Sequence, residues 1–330
     1  MMELINQITP DIQSSQTKSI SQKIDKKLDS KRTQISIDVF TLVQNARILI
    51  KHNEESLAFQ LLRQALQKET NNVHILKLMS ECLVVLERFD EAEKIYSVLC
   101  RLDVSFQNSL NRANNFYKLG KDQEAMQAYY EALALVTDDE TALFDVYKNM
   151  GNIFVRQGDF ESAEENYNKA YTKSPNSDVL LVNYGTLEVQ KGDLDKALFC
   201  FRKAVEVNPN NDRAWVGLGM VHSQFGDSEL AWGNLIKASD INPKNRTALI
   251  LLGQWSSQMN MVDSIIQKLT HYFSSHSEDT EISILLIKLL FEKGEVLQAH
   301  LELTRAFCFN PESSELDKLN QFFNKSKDLQ

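Results

Sequence analysis

Four of the five prolines stand at 175, 209, 243 and 311, steps of 34, 34 and twice 34, and the skipped beat at 277 is a serine. A fixed step of this length leaves few folds open. Each unit is one supersecondary hairpin that cannot bury its apolar face alone, so copies must stack on one another. Other positions keep the same beat. Ala163, Ala197, Ala231 and Ala299 do so, with Ile265 on the missing beat. So do Gly151, Gly185, Gly219 and Gly253, and again Gly158, Gly192, Gly226 and Gly294.

Each unit reads as two helices. A glycine inside the first (Gly151, Gly185, Gly219) lowers helix propensity by about 1 kcal/mol. Close approach of the facing helix would offset this, with Ala163, Ala170 and their equivalents as the matching small surfaces. Gly158-Asp159, Gly192-Asp193 and Gly226-Asp227 supply a left-handed residue and then a carboxylate to cap the second helix. Pro175, Pro209 and Pro243 follow that helix where no further turn is wanted.

Trp215-x2-Leu218-Gly219-x2-His222, followed by Ala231, Leu235, Ala238 and Pro243, resembles the tetratricopeptide repeat. Only His222 and Leu235 replace the aromatics usual at their positions. The unit at 144–177 fits more closely, through Tyr147, Met150, Gly151, Phe154, Gly158, Ala163, Tyr167, Ala170 and Pro175. Weaker copies start near 39, 73 and 106, marked by Ala58 with Ala65, Ala92 with Tyr96, and Ala125 with Tyr129 and Ala132. The step from Ala125 to Ala163 is 38, and its four extra residues fall near Glu140–Leu143, about one helical turn. The expectation is an all-α solenoid of about eight hairpins over 38–313, which the resemblance implies to be a right-handed superhelix. A capping helix would follow at 314–330, with Leu316, Leu319, Phe322 and Phe323 on one stripe. Residues 1–37 carry six cationic side chains against four carboxylates and are rich in Ser, Gln, Thr and Lys. That segment reads either as a disordered tail or as a helix, along Ile20, Ile24 and Leu28, that folds on a partner.

Net charge is −9, which disfavours nonspecific binding to nucleic acid or an acidic membrane. The opening Met1-Met2-Glu3-Leu4-Ile5-Asn6 has neither a basic region nor an apolar run, so no signal peptide is expected. No membrane insertion is expected either, since no run approaches the roughly 18 apolar residues a span needs. Cys82, Cys100, Cys200 and Cys308 lack paired spacing and read as buried thiols in a reducing cytoplasm.

The six histidines form no HExxH, no cysteine pair has zinc spacing, and no phosphate loop, nucleophile elbow or dinucleotide fingerprint occurs. His222 sits at a packing position and reads as a core histidine. The expectation is therefore a protein that is no enzyme and needs neither metal nor cofactor.

In the tetratricopeptide family the first helices line a concave groove through positions 2, 5, 6, 9, 12 and 13 of each unit. The resemblance places Asn111, Asn114, Lys148, Asn149, Asn152, Asn183 and Arg213 there. Asparagine amides both donate and accept, so a row of them can pair with the backbone of an extended peptide of any sequence. The row is similar to the asparagine ladder of the repeat domain in O-linked N-acetylglucosamine transferases. Lys148, Asn152, Asn183 and Arg213 also occupy four of the five positions of the carboxylate clamp in chaperone-binding repeats, and the fifth, usually Arg or Lys, is Gly217 here, so a clamp cation is missing.

The seventh unit, 246–278, departs from the pattern. Asn260 replaces the turn glycine, Ile265 and Tyr272 replace the alanines, and Trp255 is large for its place. Trp255, Met259, Met261 and Phe273 are read as an apolar patch for a partner or for a second copy of the chain. The leading expectation is an adaptor or scaffold holding a protein or peptide segment in the groove. The alternatives are an assembly factor that self-associates or docks a folded protein on the seventh unit, or a secretion- or pilus-type chaperone.

Overall fold

A computed structural model describes residues 38–135 and 139–327; residues 1–37, with both readings of that segment, lie outside the described residues. Among the described residues there are seventeen helices and no strand. They form eight hairpins: α1 Val39–Lys51 with α2 Glu55–Lys68, α3 Val73–Val85 with α4 Phe89–Leu102, α5 Phe106–Lys118 with α6 Asp122–Leu133, α7 Glu140–Gln157 with α8 Phe160–Lys173, α9 Asp178–Lys191 with α10 Leu194–Val207, α11 Asp212–Gln224 with α12 Ser228–Ile241, α13 Arg246–Trp255 with α14 Val262–Phe273, and α15 Thr280–Glu292 with α16 Val296–Phe309. A last helix, α17, covers Ser314–Lys327. The all-α repeat architecture and the count of eight units agree with the period.

Local chemistry starts and stops each hairpin. Asp38, Asn72, Ser105, Asp139, Ser177, Asn211, Asn245 and Asp279 each precede a first helix and accept a hydrogen bond from the backbone N–H three residues on. The turn between the two helices uses a left-handed residue in every unit: Asn53, Glu87, Gly120, Gly158, Gly192, Gly226, Asn260 and Gly294. The seventh unit lost its glycine there but kept the conformation, which asparagine tolerates. Asp159 and Asp193 cap their second helices as expected. Asp227 does not. It makes no side-chain cap bond, and its carboxylate stands 3.5 Å from His222 Nδ1 instead. The four-residue insertion lengthens α7 to 18 residues, against 10 to 14 for the other first helices.

The period-34 alanines Ala58, Ala92, Ala125, Ala163, Ala197, Ala231 and Ala299 are fully buried, as is Ile265. The mid-helix glycines are offset somewhat differently from the expectation. A Cβ on Gly219 would meet Leu235 at 2.9 Å and the Ala231 carbonyl at 3.2 Å, but one on Gly185 would strike the Phe201 ring at 2.6 Å. At Gly185 the facing surface is therefore an aromatic ring, not an alanine.

The chain divides into two compact units, one ending at Ile153 and one beginning at Phe154. The first has two buried clusters, from Leu42 to Leu99 and from Leu110 to Ile153. The second has one from Leu181 to Val221 and one from Val216 to Leu316, where Leu319 of α17 also packs. In this unit a polar link joins successive hairpins. Asp178 Oδ2 accepts from Asn208 (2.6 Å) and Asn211 (2.8 Å), and one period later Asp212 Oδ2 accepts from Asn242 and Asn245, both at 2.7 Å. After one more period the roles are reversed: Arg246 Nε donates to Asp279 Oδ2 at 2.7 Å, and Arg246 also reaches Glu281.

Candidate functional site

In the unit ending at Ile153, the first helices α5 and α7 carry the predicted asparagines. Asn111 Oδ1 accepts from Gln107 Nε2 at 2.8 Å. Asn114 Oδ1 accepts from the Tyr129 hydroxyl at 2.7 Å and from Asn149 Nδ2 at 3.0 Å, and Asn149 Nδ2 also reaches the Tyr129 oxygen at 3.0 Å. Tyr129 is fully buried on α6, so these three side chains close a plug between the two hairpins. Asn152 Nδ2 donates to the Tyr117 hydroxyl at 3.1 Å. Lys148 is paired with Asp145 at 2.5 Å, and its Nζ stands 5.3 Å from the Phe144 ring centre. The asparagines thus brace neighbouring repeats. Hydrogen bonds among the described residues use neither the amide donors of Asn114 nor the amide oxygen of Asn149.

In the unit beginning at Phe154, Asn183 on α9 is buried, while Arg213 on α11 is exposed and has no hydrogen-bond or ion-pair partner among the described residues. Arg213 stands at the edge of a cavity of about 410 Å³, within the size range of ligand sites. Its apolar lining is Val182, Val189, Phe201, Val216 and Met220, and Thr186, Asp212, Asn242, Asn245 and Thr247 supply the polar wall. Asp212, in the same wall, accepts both asparagine bonds on Oδ2 and makes no ion pair with Arg213. Gly217 also lines it, and a Cβ there would meet the Phe201 ring at 2.4 Å. The glycine that stands in place of a clamp cation thus leaves room for that ring.

Sequence reasoning missed the aliphatic lining. The signal was available as a period-34 row of branched aliphatics on the first helices, Val182, Val216, Ile250 and Ile284.

In the seventh unit the proposed patch is mostly part of the interior. Trp255, Met259 and Phe273 are half-buried and packed against the core, and only Met261 is exposed. Tyr272, in place of an alanine, donates its hydroxyl to Asp279 Oδ2 at 2.9 Å, and burial together with that bond pushes its pKa up to about 12. Where the proline is missing, Arg305 of α16 donates to the Ser277 carbonyl and lies 4.4 Å over the Phe273 ring. The unit that breaks the repeat's rules is held by substitutes for them.

Among the described residues no group of three or more His, Cys, Asp or Glu could hold a metal ion, and no helix is long and apolar enough to cross a membrane.

Stacked hairpins with capped first helices, left-handed turns and buried alanines on one period define a helical-repeat protein. Two family models described as tetratricopeptide repeat match residues 105–176, and 49–100 with 154–218, together just over half of the chain. The chain belongs to the tetratricopeptide repeat family, whose members are generally interaction modules without catalysis. Solved structures agree on the fold. A tetratricopeptide repeat protein from Parabacteroides merdae is 17% identical, covering 77% of this chain and 98% of that one with a TM-score of 0.63. PilW, a type IV pilus biogenesis factor, is 16% identical with 65% and 98% coverage and a TM-score of 0.56. The Cut9–Hcn1 assembly is 16% identical with 81% and 51% coverage and a TM-score of 0.56. A comparison with curated proteins finds no match.

Proposed function

We propose that the protein is a non-catalytic adaptor that holds an extended segment of a partner protein against its first helices. The observation that carries this reading is the cavity lined by α9, α10, α11 and α13, with Arg213 unpaired at its edge. An exposed guanidinium with no ion-pair partner beside an apolar recess is available to a carboxylate of a bound segment. In the other unit, Asn111, Asn114, Lys148, Asn149 and Asn152 supply amides and a cation to a peptide backbone on the faces of α5 and α7. Asn183 is buried on α9 and lies outside this contact set. The affinity is modest, because a segment ordered on binding loses conformational entropy.

The site of action is the cytoplasm. Four free cysteines support a reducing compartment, although of the four expected to be buried only Cys82 is, Cys100 and Cys200 being half-buried and Cys308 exposed; burial pushes the Cys82 and Cys200 thiols up to about 11, far from the reactive thiolate.

The test is a pull-down from the source cell with the wild type and with Lys148→Glu/Arg213→Glu. The double variant is expected to lose the wild type's partner. Retention of that partner would move the function to another surface, with Met261 and its neighbours the next to be altered.

A further inference from the structure

Tyr129 and Phe201 follow Ala125 and Ala197 by four residues and so hold the same place in their repeats. Asn149 and Gly217 each stand two residues before the glycine place of the following first helix, at Gly151 and Gly219. Asn114 and Thr186 correspond in the same way. In the first unit these three positions form the hydrogen-bonded Tyr129–Asn149–Asn114 plug. Around Phe201 the hydroxyl, the amide that would bond it and the second amide are all replaced. What remains is a bare Phe201 ring slotted against Gly185 and Gly217, where hypothetical Cβ atoms would lie 2.6 and 2.4 Å from it. That ring comes from a second helix, yet it lines a cavity otherwise built from first helices and the loop before α13. It does so because the two backbones beside it lack a Cβ.

We propose that Phe201 and Gly217 are the pair that decides what this face accepts. Resting on the reading above, they hold open a recess for one apolar side chain of a partner peptide, with an acidic residue beside it on Arg213. An apolar occupant follows from the lining of Val182, Val189, Phe201, Val216 and Met220, where a polar side chain would lose its water without gaining a partner. The acidic neighbour follows from the unpaired guanidinium, which can grip a carboxylate with two parallel bonds. Where Tyr129, Asn149 and Asn114 fill this position with their own side chains, Phe201, Gly217 and Thr186 leave it for a ligand.

Grafting the plug gives the test. Phe201→Tyr/Gly217→Asn/Thr186→Asn rebuilds in the second unit the side chains that coexist in the first, so the variant should fold while its recess is filled. The probe is the blocked hexapeptide Ser-Gly-Leu-Asp-Gly-Ser, titrated by NMR on methyl-labelled protein. For the wild type, replacing its leucine by serine should weaken binding about tenfold, and replacing its aspartate by asparagine about fivefold. The triple variant should bind the parent peptide at least about tenfold more weakly than the wild type. Equal binding by a folded triple variant overturns the proposal, as does a wild type that does not distinguish leucine from serine. A second arm needs no peptide: benzene should shift the Met220 methyl resonance in the wild type and leave it unmoved in the triple variant. An equal response in both, or none in the wild type, also overturns the proposal. If no peptide binds the wild type while the benzene arm succeeds, the adaptor reading fails and the recess remains. If the triple variant unfolds, Gly217→Ala replaces it with the same readouts, since its methyl group drives the Phe201 ring toward the recess.

Discussion

The polar plug around Tyr129 and the recess above Phe201 are two outcomes of one repeat position. In the first, a buried hydroxyl and two amides satisfy one another and lock adjacent hairpins. In the second, an aromatic ring without a polar atom leaves space on the same side of the repeat. The difference shows how a repeat protein can divide its labour. A position that stiffens the stack in one unit becomes a binding feature in another through two or three substitutions, with no change in the backbone pattern.

The largest expected effect is at the plug. Tyr129→Ala removes a fully buried ring and should cost about 4 kcal/mol. Hydrogen exchange would show this as faster opening of α5 to α7, with α9 to α13 little changed, because repeats unfold with their neighbours. Equal acceleration in both units would break the comparison. Next is Gly217→Ala, whose methyl group meets a ring that is itself buried, and which should cost about 2 kcal/mol in denaturant unfolding.

A smaller effect, of opposite sign, is expected at Glu87, which holds φ 57° in a turn where the second unit mostly uses glycine. Glu87→Gly should raise stability by about 1 kcal/mol, less what glycine adds to the unfolded chain's freedom, read as a higher midpoint. A pH effect follows from Asp279. Burial raises the pKa of this carboxyl, but hydrogen bonds from Arg246, the Ile282 N–H and Tyr272 outweigh that and leave it below its ordinary 3.8. A lowered folded pKa means stability that is present above the unfolded value and lost as pH falls through the folded one. The link between α13 and α15 should therefore loosen only below about pH 4, and Asp279→Asn should flatten that acid limb. The smallest contrast is between the two cations. Lys148→Gln should cost about 0.5 kcal/mol through its Asp145 pair, and the exposed Arg213→Gln nothing measurable in thermal unfolding. A stability loss at Arg213 would mean that it has a structural partner after all.

The period made most of the fold legible. Prolines, alanines and turn glycines fixed eight hairpins and even the extra turn of α7, because each answers to a local requirement repeated in every unit. The site was legible only in part. The asparagines could be placed on first helices, but their bonds to Tyr129 and Tyr117 could not, since those partners lie on other helices or in neighbouring hairpins and have no fixed sequence offset. The recess was missed for a related reason. In the sequence Gly217 stands only for an absent clamp cation, whereas its meaning depends on a ring sixteen residues upstream that belongs to the preceding hairpin. Trp255, Met259 and Phe273 read as surface from their departure from the family pattern, yet all three pack against the core of their unit.

The Asp–Asn links between hairpins have a further consequence, for how such a chain can change length. Each link joins the first residue of one helix pair to the residue just before the next, and its polarity flips between Asp212–Asn245 and Arg246–Asp279. Excising residues 212–245 would leave every remaining donor opposite an acceptor. Excising 213–246, a cut of the same size moved by one residue, would set Asp212 against Asp279 with two negative charges face to face. The links therefore act as a reading frame for duplication and deletion, in which a gain or loss of one repeat is tolerated at one phase of the period and penalised at the next.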